Sequence, residues 1–304
     1  MRAHLSQVDS THVDYATLKL LQDEIASRAG GLARLQQRFP LLVRDAVDFV
    51  LDSVRTARTR VSELDNVEKT FIGLKLEHFV RDMLDVPKGV RDLVVADIDV
   101  DIKNTVGGNW SIPQETYRSS EPCLLMAVND KAFTCSLGLI VAKLEYLHAG
   151  KGNRDTKRGV STSGFANILW LVADEPFPPS RFSGLDMDRF RELRRDYKQG
   201  NPRAAQFWRE NLRHVVHRDV MQALLFDQYD FMKRLRANGG APDTLRHENI
   251  AIFIGTYVPD RVLASKLGVG TLARDEIVGV EARTKGEWEL MKAAGVISTY
   301  QWTG

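Results

Sequence analysis

Between Asp92 and Lys103 the chain reads Asp-Leu-Val-Val-Ala-Asp-Ile-Asp-Val-Asp-Ile-Lys, an alternation of acids and branched apolar residues. Two strands turning at Ala96-Asp97 would put Leu93, Val95, Ile98, Val100 and Ile102 on one face and Asp92, Val94, Asp99, Asp101 and Lys103 on the other. In that register Asp92 faces Asp101 across the hairpin, with Cβ atoms about 4.5–5.5 Å apart. Two carboxylates that close repel unless a cation lies between them. Hard oxygen donors at a sheet's end suit Mg²⁺, which keeps several waters and takes one or two carboxylates plus a substrate phosphate. Lys103 points the same way, and an ammonium there can orient a water or steady a charged phosphoryl transition state. The chemistry these residue types could perform is metal-assisted phosphodiester hydrolysis; a solvated acidic hairpin is the alternative reading of the same pattern.

Such a hairpin needs elements that position it. Apolar residues Val67, Phe71, Leu74, Phe79, Val80 and Leu84 recur at helical spacing, so residues 62–84 are predicted to form a helix carrying Glu77 just ahead of the hairpin. Residues 14–59 are helical in pattern, with breaks expected at Gly30-Gly31 and Pro40. Strands are predicted at 122–129 and 132–143, and residues 167–174 have the composition of another strand or a short buried segment. The Asn129-Asp130 turn between the first two of these could bring Cys123 and Cys135 together, as free thiols in a reducing compartment.

Taken in order, Glu68-Lys-Thr-Phe-Ile-Gly73 with Glu77, then Asp92, Asp101-Ile-Lys103, Gly108-Asn-Trp110-Ser-Ile-Pro113, Asn153-Arg-Asp-Thr-Lys-Arg158 and Asp230-Phe-Met-Lys-Arg-Leu-Arg-Ala-Asn-Gly-Gly-Ala241 resemble the NaeI family of restriction endonucleases. The resemblance implies a PD-(D/E)xK nuclease core, similar to that of the mismatch-repair nickase MutH, followed by a winged helix-turn-helix domain related to that of catabolite activator protein. It implies Glu77, Asp92, Asp101 and Lys103 as catalytic residues, the three acids as Mg²⁺ ligands, a homodimer, and a second copy of double-stranded DNA as activator. Arg91 stands where the superfamily motif has proline.

The fold class expected is therefore a two-domain α/β (α+β) chain: a mixed sheet with flanking helices over residues 1–174, a proline-rich linker at 175–184, and a winged-helix-like DNA-binding domain at 185–304. Helices are predicted at 186–199, 203–217 and 219–237, with strands near 250–255 and 276–281. With 304 residues each domain can hold its own core, and a net charge of +2 excludes a protein coated in positive charge without excluding a basic cleft. Residues 181–247 hold 14 Lys and Arg against 9 Asp and Glu. Phosphate contacts are expected from Lys233, Arg234 and Arg236, and from Arg154, Lys157 and Arg158, with solvated basic faces as the plain alternative. Asn109 and Trp110 could touch DNA, or Trp110 could anchor the core. His214 and His217 have metal-ligand spacing without an evident third ligand. The N-terminus lacks a signal-peptide core and no apolar run reaches membrane-span length, so a cytoplasmic enzyme is expected. The function implied is a type II endonuclease cutting both strands at a short site; a strand-nicking enzyme and a DNA-binding regulator with a vestigial nuclease core are the alternatives.

Overall fold

The computed structural model describes residues 5–150, 156–298 and 302. The chain forms two compact units, one of residues 1–51 and 60–180, the other of residues 52–59 and 181–304.

The first unit opens with helices α1 (Tyr15–Arg28) and α2 (Leu32–Leu51). A break at Pro40 was expected, and the structure corrects this: α2 runs through it. Phe39, Pro40 and Val43 are all buried, so packing on the sheet outweighs the hydrogen bond that proline cannot donate. Helix α3 (Ser53–Thr56) belongs to the second unit. Helix α4 (Asn66–Leu84) starts at a reciprocal cap, in which Asp65 accepts from the Glu68 N–H and the Glu68 carboxylate accepts from the Asp65 N–H (2.8 and 3.0 Å).

Strands β1 (Leu93–Val95) and β2 (Ile98–Val106) make the expected hairpin. Helix α5 (Gln114–Arg118) then leads to β3 (Pro122–Asn129), β4 (Thr134–Val141) and β5 (Leu169–Pro176). The sheet order is β1-β2-β3-β4-β5, antiparallel throughout except for the parallel β2–β3 pair. One face packs Ile102, Leu124, Met126 and Leu137 against α1, α2 and α4. The other carries Cys123, Leu125, Ala127 and Ile140 beneath Trp110, Ile112 and Tyr117. Cys123 lies opposite Ile140 and Cys135 opposite Val128, so the thiols occupy different faces at different ends and are not neighbours, contrary to expectation. Both are free and buried, and burial holds both thiols well above the usual range.

In the second unit, α6 (Met187–Asp196) and α7 (Gly200–Glu210) precede the short strand β6 (Val216–His217) and α8 (Arg218–Leu224). The single helix expected at 219–237 is instead α8, a loop, and a 3₁₀ turn at Phe231–Leu235. Buried Arg203 explains the stop: it pairs with Asp227 (2.7 Å) and donates to the carbonyl of Leu224 (3.1 Å), taking up the last turn of α8. Helix α9 (Pro242–Leu245), strand β7 (Ile250–Ile254), α10 (Val258–Lys266), β8 (Glu276–Glu281) and α11 (Lys285–Ala293) complete the unit. Its sheet has the order β6-β8-β7, all antiparallel. Ile250, Ile254 and Ile277 join a core with α6–α8, whereas Phe253, Val278 and Val280 join a second core under α10 and α11. Among the described residues no helix is long and apolar enough to cross a membrane.

Candidate active site

The β1–β2 register pairs Leu93 with Val100 and Val94 with Asp99, which continues to Asp92 opposite Asp101. The turn residues Ala96 and Asp97 both take positive φ (51° and 62°), the conformation that suits the right-handed twist of a two-residue hairpin. Leu93, Val95 and Val100 go fully into the core, so sliding the hairpin by one residue would bury its acids instead.

Asp101 is only 4% exposed, and both of its oxygens are occupied. Oδ1 is ion-paired with Lys103 Nζ, and Oδ2 accepts from the Thr116 hydroxyl at 2.8 Å. Asp92 Oδ2 accepts from the Ile102 N–H at 2.6 Å. Burial pushes the Asp92 carboxyl above the usual carboxylate range; the Ile102 N–H works against that, and the neighbouring Asp101 adds to it.

Glu77 enters from α4. Gly73 lies one turn earlier on the same helix face, and a Cβ at Gly73 would collide with the Asn104 side chain of β2. The missing side chain lets the helix lie close to β2 and carries Glu77 toward the hairpin. Glu77 is half-buried, and its carboxyl is raised first by that burial and then by the charge of Asp92. It makes no hydrogen bond to the hairpin acids. Among the described residues no three His, Cys, Asp or Glu side chains are gathered as a metal-binding group. The structure thus brings Asp92, Asp101 and Lys103 into contact range and leaves Glu77 coupled to them through its charge.

Arg91, in the place of the motif's proline, has its own work. Its backbone N–H donates to both Asp99 oxygens (3.1 and 3.0 Å), which proline could not do, and its guanidinium makes a bidentate pair with Glu121 (2.8 Å for each bond). This ties the start of β1 to the start of β3.

With that geometry in view, comparison with known sequences is decisive: the family described as Restriction endonuclease NaeI matches residues 36–302, through both units. The chain belongs to the NaeI restriction endonuclease family. The Type II restriction enzyme NaeI of Lentzea aerocolonigenes is 27% identical over 263 residues, covering 84% of this chain and 81% of that protein. Membership makes the chain a type II, site-specific deoxyribonuclease by class, and enzymes of that class generally use divalent metal ions. Two facing carboxylates are a hard-oxygen donor set of the size Mg²⁺ takes from a protein, so the residues present fit such an ion.

The expected DNA-contact residues fare differently. Trp110 is 1% exposed and donates its ring N–H to the Met126 carbonyl at 2.8 Å, which makes it a core anchor and corrects its reading as a DNA contact. Asn109 spends its amide on Val160 O (2.8 Å) and on the backbone N–H groups of Trp110 and Val160, pinning the loop beneath the sheet. Arg158 is half-buried, donating to the His148 carbonyl at 3.4 Å and lying 5.6 Å from the Tyr117 ring centre. Lys157 is exposed, and Arg154 lies outside the described residues. In the second unit Lys233 and Arg236 are exposed, whereas Arg234 is drawn back by Gln228 (2.8 Å). His217 is engaged by Asp275 (2.6 Å) and caps α8 rather than sharing a metal with His214. Sequence reasoning missed Thr116 and Glu121, because neither belongs to a motif and each meets its partner only in the folded chain.

Proposed function

We propose that this NaeI-family enzyme hydrolyses phosphodiester bonds in double-stranded DNA at a short specific site, with Mg²⁺ as cofactor and the Asp92–Asp101–Lys103 hairpin as its centre. The observation that carries the reading is the cross-strand carboxylate pair with Lys103 on the same face. Asp92 and Asp101 would hold the ion, with Glu77 beside them. When bound there, Mg²⁺ would lower the pKa of the attacking water and offset charge on the phosphate. Lys103 supplies the positive charge that the ion does not. Released from Asp101 Oδ1, its ammonium would donate to a phosphate oxygen or hold the nucleophile in line. Glu77, which lies beside the ion-holding pair and whose carboxyl is raised, is the carboxyl best suited to receive a proton as the water is activated.

The first unit is read as the nuclease domain and the second as a DNA-binding domain of winged-helix type, joined near residues 175–184. Helices α6–α8 packed with a three-stranded antiparallel sheet support that reading, as do the exposed cations Lys233 and Arg236. A homodimer follows from the chemistry, since cutting both strands of a palindrome takes two active sites related by the DNA's own two-fold axis. A second DNA copy bound by the second unit would act as activator. Two free, buried cysteines suit the reducing cytoplasm.

The test is supercoiled plasmid with the protein and Mg²⁺, beside Asp101→Ala and an EDTA control, with and without a specific duplex added in trans. Discrete linear fragments lost in both controls support the reading. Open circles alone would replace it with strand nicking. Intact plasmid under every condition, with DNA still bound, would replace it with a regulatory role.

A further inference from the structure

We propose that Thr116 is a positioning residue for the reaction, holding Asp101 in the orientation that receives the metal ion; this rests on the hydrolytic reading above. Thr116 is wholly buried, and its hydroxyl donates to Asp101 Oδ2 at 2.8 Å. A buried carboxylate has about four acceptor positions, and an unpaired one pivots about its terminal torsion, which is broad. Lys103 alone cannot fix that torsion. It is a flexible cation, and in the reaction it has to leave Oδ1 for the phosphate or water. Thr116 is the partner that stays.

The chain around Thr116 is built to keep it there. Helix α5 is only five residues long, too short to be stable alone, yet it is clamped at both ends. Just before its start Ile112 and Arg158 exchange backbone hydrogen bonds (2.9 Å each), and in its last turn the Tyr117 hydroxyl donates to the Thr156 carbonyl at 3.2 Å. At its end the Glu121 N–H donates to the Thr116 carbonyl at 3.1 Å, and Glu121 is held by Arg91. Directly after Glu121, β3 pairs in parallel with β2, with Cys123 opposite Asp101. The hydroxyl is therefore fixed to the strand that bears the carboxylate, and not to a mobile loop. Hydrogen bonds to ligating carboxylates hold them in the geometry the metal needs, and their loss typically costs about 10–100-fold in metal affinity or activity.

Thr116→Val keeps the shape and removes the donor; Thr116→Ser keeps the donor and removes the methyl. The readouts are Mn²⁺ binding to the DNA-free protein by electron paramagnetic resonance, single-turnover cleavage of a specific duplex in Mg²⁺, and affinity for the same duplex in Ca²⁺. The expected result is that Thr116→Val loses about 10–100-fold in Mn²⁺ affinity and cleavage rate, that DNA affinity is unchanged, and that Thr116→Ser restores both losses. If the valine variant does not fold, Thr116→Ala against Thr116→Ser gives the same comparison. Wild-type Mn²⁺ binding and cleavage in Thr116→Val would overturn the proposal, as would a folded Thr116→Ser as defective as Thr116→Val. Should the wild type itself leave DNA uncut, the hydrolytic reading fails, while the Mn²⁺ comparison still decides whether Thr116 orients Asp101.

Discussion

Replacing Asp92 with asparagine removes one charge from two facing carboxylates without removing the oxygen that accepts from the Ile102 N–H at 2.6 Å. Like charges directly opposite on a strand pair cost about 0.2–1 kcal/mol, and the half-buried position of Asp92 puts the cost inside that range rather than above it. The Asp92 carboxyl is raised, first by burial and further by Asp101. A carboxyl raised in the fold binds its proton more tightly there than in the unfolded chain, so its ionisation destabilises the fold above that pKa and ceases to do so below it. Asp92→Asn should therefore unfold later than the wild type at pH 7 in EDTA. For a unit of this size the gain is about 2–4 °C in Tm per kcal/mol. The gain should vanish as pH drops through the raised carboxyl's titration, because the wild type then becomes neutral at the same position. Added Mg²⁺ should reverse the ranking, since an ion at a hundred times its Kd stabilises the form that binds it by about 2.7 kcal/mol, and the variant has lost a ligand. The assay is thermal unfolding followed by circular dichroism, with the two proteins at pH 7 and at acid pH, in EDTA and in Mg²⁺. An Asp92→Asn protein less stable than the wild type in EDTA at pH 7, or a ranking that ignores Mg²⁺, would refute the reasoning.

Three further outcomes follow from the same structure. Single-turnover cleavage should begin to fall at a pH above the ordinary carboxylate value of about 4, because Glu77 and Asp92 are both raised and must be ionised; raising Mg²⁺ should move that acid limb lower, since metal and protons compete, and a limb indifferent to Mg²⁺ would count against the ligand assignment. Trp110→Ala should cost about 3–5 kcal/mol in urea unfolding while the folded fraction keeps its DNA affinity, and a stable variant with weakened DNA binding would return Trp110 to the interface. Lys233→Ala and Arg236→Ala should each reduce the salt slope of DNA binding by about 1 in fluorescence anisotropy without changing sequence preference, and an unchanged slope would remove that residue from the phosphate contacts.

What could be read from the sequence was the part whose partners are close along the chain. The hairpin register was legible because period-two alternation of Leu93, Val95, Val100 and Ile102 leaves one pairing that buries the apolar side chains, and the observed pairs Leu93–Val100 and Val95–Ile98 are that pairing. Ala96 is a poor residue for a turn that takes positive φ at both positions, and the strands it joins overrule that preference. The cysteines show the opposite case. The link between β3 and β4 is longer than an Asn-Asp turn, with Phe133 at φ 53°, and its register sets Cys135 opposite Val128 and Cys123 opposite Ile140, while period-two alternation puts the two thiols on opposite faces of the sheet. The stop of α8 was equally hidden, because Arg203, which takes up the Leu224 carbonyl, lies on another helix.

The site divides along the same line. Asp92, Asp101 and Lys103 are eleven residues or fewer apart, and strand geometry alone sets their arrangement. The groups that govern their energies come from elsewhere: the Thr116 hydroxyl from α5, Glu77 from α4, and the Arg91–Glu121 pair from the flank of the sheet. These contacts make the two facing carboxylates unequal. Asp101 has both oxygens bonded and its charge matched by Lys103, whereas Asp92 has one backbone donor and a like charge opposite. Most of the free energy that an ion could recover at this site therefore resides in Asp92. For that reason substitution at Asp92, rather than at Asp101, should raise metal-free stability while lowering metal binding. Asp101→Asn would instead sever the match with Lys103 and leave a cation unpaired beside a buried amide, at a cost to the fold with or without metal.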